Sequence, residues 1–341
     1  MDNESIKYLA DLESILSQAK KANNICMCPN CTSKTIGSHV FSRSHILEPI
    51  SCDSKIYQFE QRPLLYSEEG IFRYNLCGIN KAFKFNGFCN KHDNELFVPI
   101  EPKCGYVDWQ VPLNQYLLSY RTVCRELYVN MVMYDVLAHV IRFVETDIPY
   151  YKENIILQLA KVSASKATLK YYKQFLEKGI FESDYTELKF KYCELPFQID
   201  LCVAAPIHVN DGRGPCFKYN YQEVNIVNIF PYYGKTIVFI GYSDKFDNKW
   251  LETIMPKFVS LSPQIVSSAF VDILYRIEFH AMSAKLYDSL KNDKLEAFLS
   301  TWSNEVDNCS EYIDEVSDFL YSPLYKIMTG NEQLCKIKYN S

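Results

Sequence analysis

No stretch of this sequence runs for about 18 residues without a polar interruption, so no membrane-spanning helix is expected. The start, Met-Asp-Asn-Glu-Ser, is acidic and no signal-peptide core follows it, so the chain is expected in the cytoplasm. An excess of positive charge is also missing. Lys and Arg number 36 against 41 Asp and Glu, a net charge of −5. Any grip on nucleic acid must then come from a local basic patch, not from the charge of the whole chain. Two catalytic motifs are absent. Asp211-Gly-Arg213-Gly lacks the spacing and the following Lys of a phosphate-binding loop, so it reads as a turn. Glu278 and His280 are not one helical turn apart, which excludes an H-E-x-x-H metal site. His208 and Asp211 are close in sequence but bring no further ligand with them. Internal repeats and low-complexity segments are absent.

What the chain has is apolar mass. Apolar residues make up 48% and charged residues 23%, the balance of a globular protein. At 341 residues it can hold two or three domains and a sizeable core. Tyr and Phe number 26 and 21. The 13 cysteines are odd in number and scattered, which fits reduced thiols rather than disulfides.

The stretch from Cys26 to Phe97 organises the rest. It opens with Cys26-Met-Cys28-Pro-Asn-Cys31, passes Ser38-His39 and Ser44-His45, and closes with Gly87-Phe-Cys89-Asn-Lys-His92-Asp93-Asn94-Glu95. Cys28 and Cys31 are spaced C-x2-C, and Cys89 and His92 are spaced C-x2-H. Two such knuckles from distant parts of a chain supply the four ligands of a tetrahedral zinc site. Cys26 and Cys31 are spaced C-x4-C, a second way for the first knuckle to ligate, so the choice between Cys26 and Cys28 stays open. The loop between the knuckles is long, but each doubling of a loop costs only about 0.6 kcal/mol in closure.

The Cys pair, the Ser-His that follows it and the Gly-Phe-Cys-x2-His-Asp-x2-Leu-Phe segment together resemble a divergent zinc-bearing HNH, or ββα-metal, endonuclease module. The resemblance covers roughly residues 26–100. It implies a β-hairpin followed by a short helix. It makes His39 the general base and Asn86 the residue that orients it. Asp93 stands where the family has a His or Asn ligand for the catalytic ion. The zinc would be structural, and Mg²⁺ or Mn²⁺ would be the catalytic ion. The implied partner is nucleic acid, DNA ahead of RNA. The chain departs from the pattern at Ser38, where many members carry an acid or a second His, and at Asp93 itself. Similarity to uncharacterised bacterial proteins adds, by analogy alone, an effector role in an anti-phage system with a protein partner.

Residues Glu4 to Ala22 carry apolar positions at three- and four-residue steps and read as a helix. Thr35–Phe41 and Lys55–Phe59 read as strands. Residues 62–85 interleave Arg62, Arg73, Lys81 and Lys84 with Tyr66, Phe72, Tyr74, Phe83 and Phe85. That mixture suits a nucleic-acid groove, and it equally suits a solvated loop with packed aromatics. Asn90–Phe97 is a short helix. Pro112 to about Glu145 is one long helix with the stripe Leu113, Tyr116, Leu117, Tyr120, Val123, Cys124, Leu127 and Met131. Arg121 and Arg125 are expected on its exposed side. A second helix runs from about Ile155 to Lys178 and ends at Gly179. Four antiparallel strands follow between 186 and 242, then helices at Lys249–Lys257, Pro263–Met282, Ala284–Thr301 and Ser310–Leu320.

The expected architecture is therefore α+β. A zinc-stapled module fills 1–104. A second domain fills 105–341, with helices over 112–178, strands over 186–242 and helices over 247–320. Two functions are consistent with it. One is a metal-dependent nuclease in which a neutral His39 takes a proton from water. The other is a non-catalytic, zinc-stabilised binding or sensor protein, favoured by Ser38, Asp93 and the acidic balance.

Overall fold

The computed structural model describes residues 3–61, 72–102, 105–143, 149–209, 221–290, 295–296, 298–299 and 320–330. Its centre is a seven-stranded antiparallel sheet. The strands are β2 (Lys55–Gln61), β3 (Phe72–Gly78), β5 (Lys189–Leu195), β6 (Leu201–His208), β7 (Val224–Tyr232), β8 (Lys235–Tyr242) and β9 (His280–Met282), in the order β3-β2-β9-β6-β7-β8-β5. Strands β6 and β7 are near-continuous apolar runs. They are buried along almost their whole length, as strands covered on both faces must be. Two further strands, β1 (Ser38–His39) and β4 (Lys84–Phe85), form a separate antiparallel pair.

The helices are α1 (Asn3–Ala22), α2 (Asn90–Leu96), α3 (Pro112–Phe143), α4 (Pro149–Glu182), α5 (Lys249–Phe258), α6 (Pro263–Leu274), α7 (Ala284–Leu290) and α8 (Tyr321–Gly330). Helices α3 and α4 pack along each other as a long hairpin, and α3 lies on β6 and β7. A polar ladder fixes that contact. Thr122 on α3 donates to Asn228 Oδ1 on β7 at 2.7 Å, and the Asn228 amide donates to Ser119 at 3.2 Å. All three residues are buried, so the pairing removes the cost of burying an unsatisfied amide.

The mixed architecture with antiparallel strands agrees with the sequence reading, but several elements differ. The helix expected to stop at Gly179 continues to Glu182. Gly179 is buried, and a Cβ there would run into the Tyr116 ring. It is a contact glycine, not a cap. The helix expected over Pro263–Met282 ends at Leu274, and His280–Met282 is strand β9. Helical spacing could not reveal a three-residue strand that exists only by pairing with β2 and β6. Strand β3 has no counterpart in the sequence reading. Arg62, Tyr66, Asp211, Arg213 and positions 310–319 of the helix expected to end at Leu320 lie outside the described residues.

Strand β9 also changes the domain picture. Tyr57 and Gln58 of β2 pair with Met282 and Ala281, and Leu201 and Cys202 of β6 pair with the same two residues. The sheet therefore crosses the boundary expected at 104. His280 locks the junction. It is fully buried, its Nε2 lies 2.6 Å from the Tyr74 hydroxyl, its Nδ1 lies 3.2 Å from Ile277 O, and its ring stacks on Phe59 at 4.6 Å. Burial pushes the imidazole down to about 3.

Residues 105–341 expressed alone expose the faces that β2 and β3 cover, so the fragment is expected to aggregate. Soluble, cooperatively unfolding fragment would refute the continuous sheet. The lowered His280 pKa means the folded state holds this ring neutral. Its contribution is complete above about pH 6.5 and is lost as pH falls toward 3, by about 1.4 kcal/mol per pH unit. Thermal melts at pH 7 and pH 4.5 should differ less in His280→Gln than in the unmutated protein.

Candidate metal centre

The first knuckle is an extended segment followed by a tight turn. Cys26 N donates to Ser33 O at 2.9 Å, and Cys31 N donates to Cys28 O at 3.2 Å. Asn30 takes the left-handed conformation that such a turn needs, which asparagine tolerates. The second knuckle is the start of α2. Cys89 stands at its N-cap and His92 three residues on, so both side chains lie on one side of the first turn. Backbone bonds bring the knuckles together: Met27 N donates to Gly87 O at 2.8 Å and Ile36 N to Phe88 O at 2.8 Å.

The result is a cluster of Cys26, Cys31, Cys89 and His92, whose ligand atoms all lie within 4.8 Å of one another. His92 Nδ1 is 3.3 Å from Cys26 Sγ and 3.5 Å from Cys89 Sγ, and the Cys31 and Cys89 sulfurs are 3.9 Å apart. A tetrahedral zinc ion with Zn–S of about 2.3 Å and Zn–N of about 2.0–2.1 Å has S···S edges of about 3.8 Å and N···S edges of about 3.6 Å. The donor set and spacing therefore fit a metal such as zinc. Burial pushes the Cys26 thiol up to about 11, while backbone and side-chain bonds from Ser33 draw Cys31 down. A bound divalent cation would displace these protons, so metal uptake and thiol ionisation are coupled.

Cys28, one of the sequence candidates, stays outside the four. Its thiol is buried beside Cys26 and the Tyr120 hydroxyl of α3, and burial raises its pKa strongly. The C-x2-C spacing marks the turn, but the two cysteines of this knuckle that join the cluster are spaced C-x4-C.

The other site candidates scatter. His39 lies on β1, paired with Lys84 of β4, and α2 follows that strand pair. Strands β2 and β3 lie between β1 and β4 in the chain, so this pair is not the hairpin that the resemblance implies. The His39 ring is half-buried, and its Nε2 is enclosed without a hydrogen-bond partner. Burial lowers its pKa, backbone bonds to Ile79 and Asn80 oppose this, and the Lys84 and Arg121 charges add to the lowering. Asn86 is engaged elsewhere. It lies beside the Tyr128 hydroxyl and lines a cleft of about 320 Å³ with Leu16, Lys20 and Asn24. Asp93, in the first turn of α2, faces Arg121 at 3.4 Å.

Sequence reasoning misplaced Arg125, which is half-buried with its guanidinium 3.5 Å over the Phe279 ring, and above all Arg121. Arg121 is almost fully buried, binds Glu101 at 2.5 Å as well as Asp93, and lies 3.9 Å over the Phe97 ring. The signal was present: Arg121 is four residues from Leu117 and three from Cys124, on the apolar stripe of α3. The Mg²⁺ or Mn²⁺ implied by the resemblance does not fit here, because the cation facing Asp93 is already this guanidinium. The aromatic and basic run of 72–85 is likewise mostly packing. Tyr74, Phe83 and Phe85 are buried, while Lys81 and Lys84 face solvent.

No family model matches the chain, and neither a curated protein nor a solved structure matches it. Among the described residues no helix is long and apolar enough to cross a membrane.

Protein purified without added metal is expected to carry about one zinc per chain. Cys26→Ala, Cys31→Ala or Cys89→Ala should lower zinc content sharply, and Cys28→Ala should leave it unchanged. Equal loss in Cys28→Ala and Cys26→Ala would overturn the four-ligand assignment. Arg121→Ala should cost about 3–5 kcal/mol in denaturant melts, the usual result of breaking a buried ion pair.

Proposed function

We propose that this chain is a metal-stapled binding protein that recognises a protein or ligand partner without cleaving it, with the Cys26–Phe97 segment serving as scaffold. The observation that carries this reading is the occupation of Asp93 by Arg121. An HNH-like site needs that carboxylate free for a hard cation that stabilises the leaving oxygen. Here it neutralises a buried arginine, and moving it to a metal would leave that arginine with Glu101 as its single carboxylate. The enclosed Nε2 of His39 and the engagement of Asn86 with Tyr128 support the same conclusion. A zinc ion held by Cys26, Cys31, Cys89 and His92 would have no open position for water and would supply only cross-linking.

Nuclease activity is the second reading, and one observation favours it. His39 is held neutral, with one ring nitrogen unpaired, on strand β1. That is the protonation state a general base needs. It remains the basis for any link to DNA cleavage or phage defence.

A cleavage assay over single- and double-stranded DNA and RNA, with Mg²⁺, Mn²⁺ or chelator, separates the two. The binding reading expects no metal-dependent product. Cleavage that falls about 10²–10⁴-fold in His39→Ala, with zinc content and melting temperature unchanged, would replace it with the nuclease reading.

A further inference from the structure

The turn between β7 and β8 is built against local preference. Its two central residues are Tyr233 and Gly234, with φ of 49° and 78°. Positive φ at both positions defines the tight hairpin turn that Asn-Gly normally fills. Glycine meets the requirement, but a tyrosine in the left-handed region is an outlier. Such outliers point to a functional demand on the side chain when packing does not explain them. Burial does not explain this one, because Tyr233 is 64% exposed.

Its ring joins a group. Tyr106, itself 55% exposed, lies 5.6 Å from Tyr233 and 5.1 Å from Tyr232, and Tyr232 lies 4.8 Å from Tyr233. The Tyr233 hydroxyl donates to Gly105 O at 3.3 Å, which ties the turn to the segment leading into α3. Tyr232 is buried, and its hydroxyl accepts from Val107 N at 2.8 Å. The rings are thus fixed before any ligand arrives. They are too close to one another to enclose a group, so the exposed Tyr106 and Tyr233 form a surface platform.

The charge beside the platform is acidic. Asp108 is exposed and accepts a local bond from Gln110 N at 2.9 Å, with no ion pair among the described residues. Glu194 raises the pKa of Tyr106 after burial does, Lys235 opposes this, and Asp108 adds to the rise. Lys235, the nearby base, is already bound to Glu194. We propose that Tyr106 and Tyr233 form a docking platform for a basic protein segment, with an arginine or lysine stacked on the exposed rings and Asp108 supplying the countercharge. Cation–π contact supplies affinity at the faces of the rings. The net charge of −5 favours approach of such a partner. The platform is separate from the metal centre and goes beyond the binding reading above by naming a surface and a partner chemistry.

The test uses the full chain and a fluorescein-labelled tetra-arginine peptide, read by anisotropy. Tyr106→Ala and Tyr233→Asn should each weaken binding by roughly three- to thirtyfold. Asp108→Asn should weaken it and reduce its salt dependence. Tyr233→Asn is the decisive variant, because asparagine suits the turn. Its melting temperature should stay level or rise while binding falls. Three results would overturn the proposal: variants that bind the peptide as the unmutated protein does, a Tyr233→Asn melting temperature lowered by more than about 5 °C, or AMP displacing the peptide, which would make the platform a nucleobase stacker. These outcomes are independent of whether the protein cleaves nucleic acid.

Discussion

A single buried guanidinium governs how the N-terminal segment meets the rest of the protein. Arg121 projects from α3 into the space beneath α2. There it holds Asp93 from the helix, Glu101 from the segment after it, and the face of Phe97. A charge this deeply buried is tolerated only when its partners are in place. The position of α2 is therefore set by α3 as much as by its own sequence. Since α2 carries Cys89 at its cap and His92 in its first turn, the same constraint sets the geometry of the metal cluster. The aromatic contacts of Phe88 with Phe97 and Tyr120 fill the remaining space between the module and α3.

The second constraint is the sheet. Strand β9 is three residues long and could not stand alone, yet it joins strands drawn from before and after the long helical hairpin. The buried Tyr74–His280 bond sits at this join. An N-terminal module that looks self-contained in sequence is thus integrated twice, through Arg121 and through β9. The segment is therefore continuous with the rest of the fold. The chemistry around Asp93 agrees: a carboxylate committed to the fold is not free for a catalytic ion.

Much of the chain was legible. The stripe on α3, the alternation and apolar runs of β5 to β8, and the short helix at Asn90 all follow from periodicity, a local property. So did the two knuckles, because tight turns with soft ligands have a strict spacing. Less was legible where function depends on a partner distant in sequence. Gly179 reads as a helix stop from sequence, and only the Tyr116 ring beside it shows that the glycine makes room instead. Arg121 reads as a surface charge until Asp93 and Glu101 are seen around it.

By itself, then, the sequence determined the α+β character, the long helices, most of the sheet strands and a Cys/His centre assembled from two knuckles. Each of these rests on spacing between near neighbours. The tertiary structure decided that Cys26 and not Cys28 completes the cluster, that β9 closes the sheet, and that Asp93 belongs to Arg121. These depend on which side chains meet across more than a dozen residues of chain, where packing and desolvation choose among partners that spacing leaves equivalent.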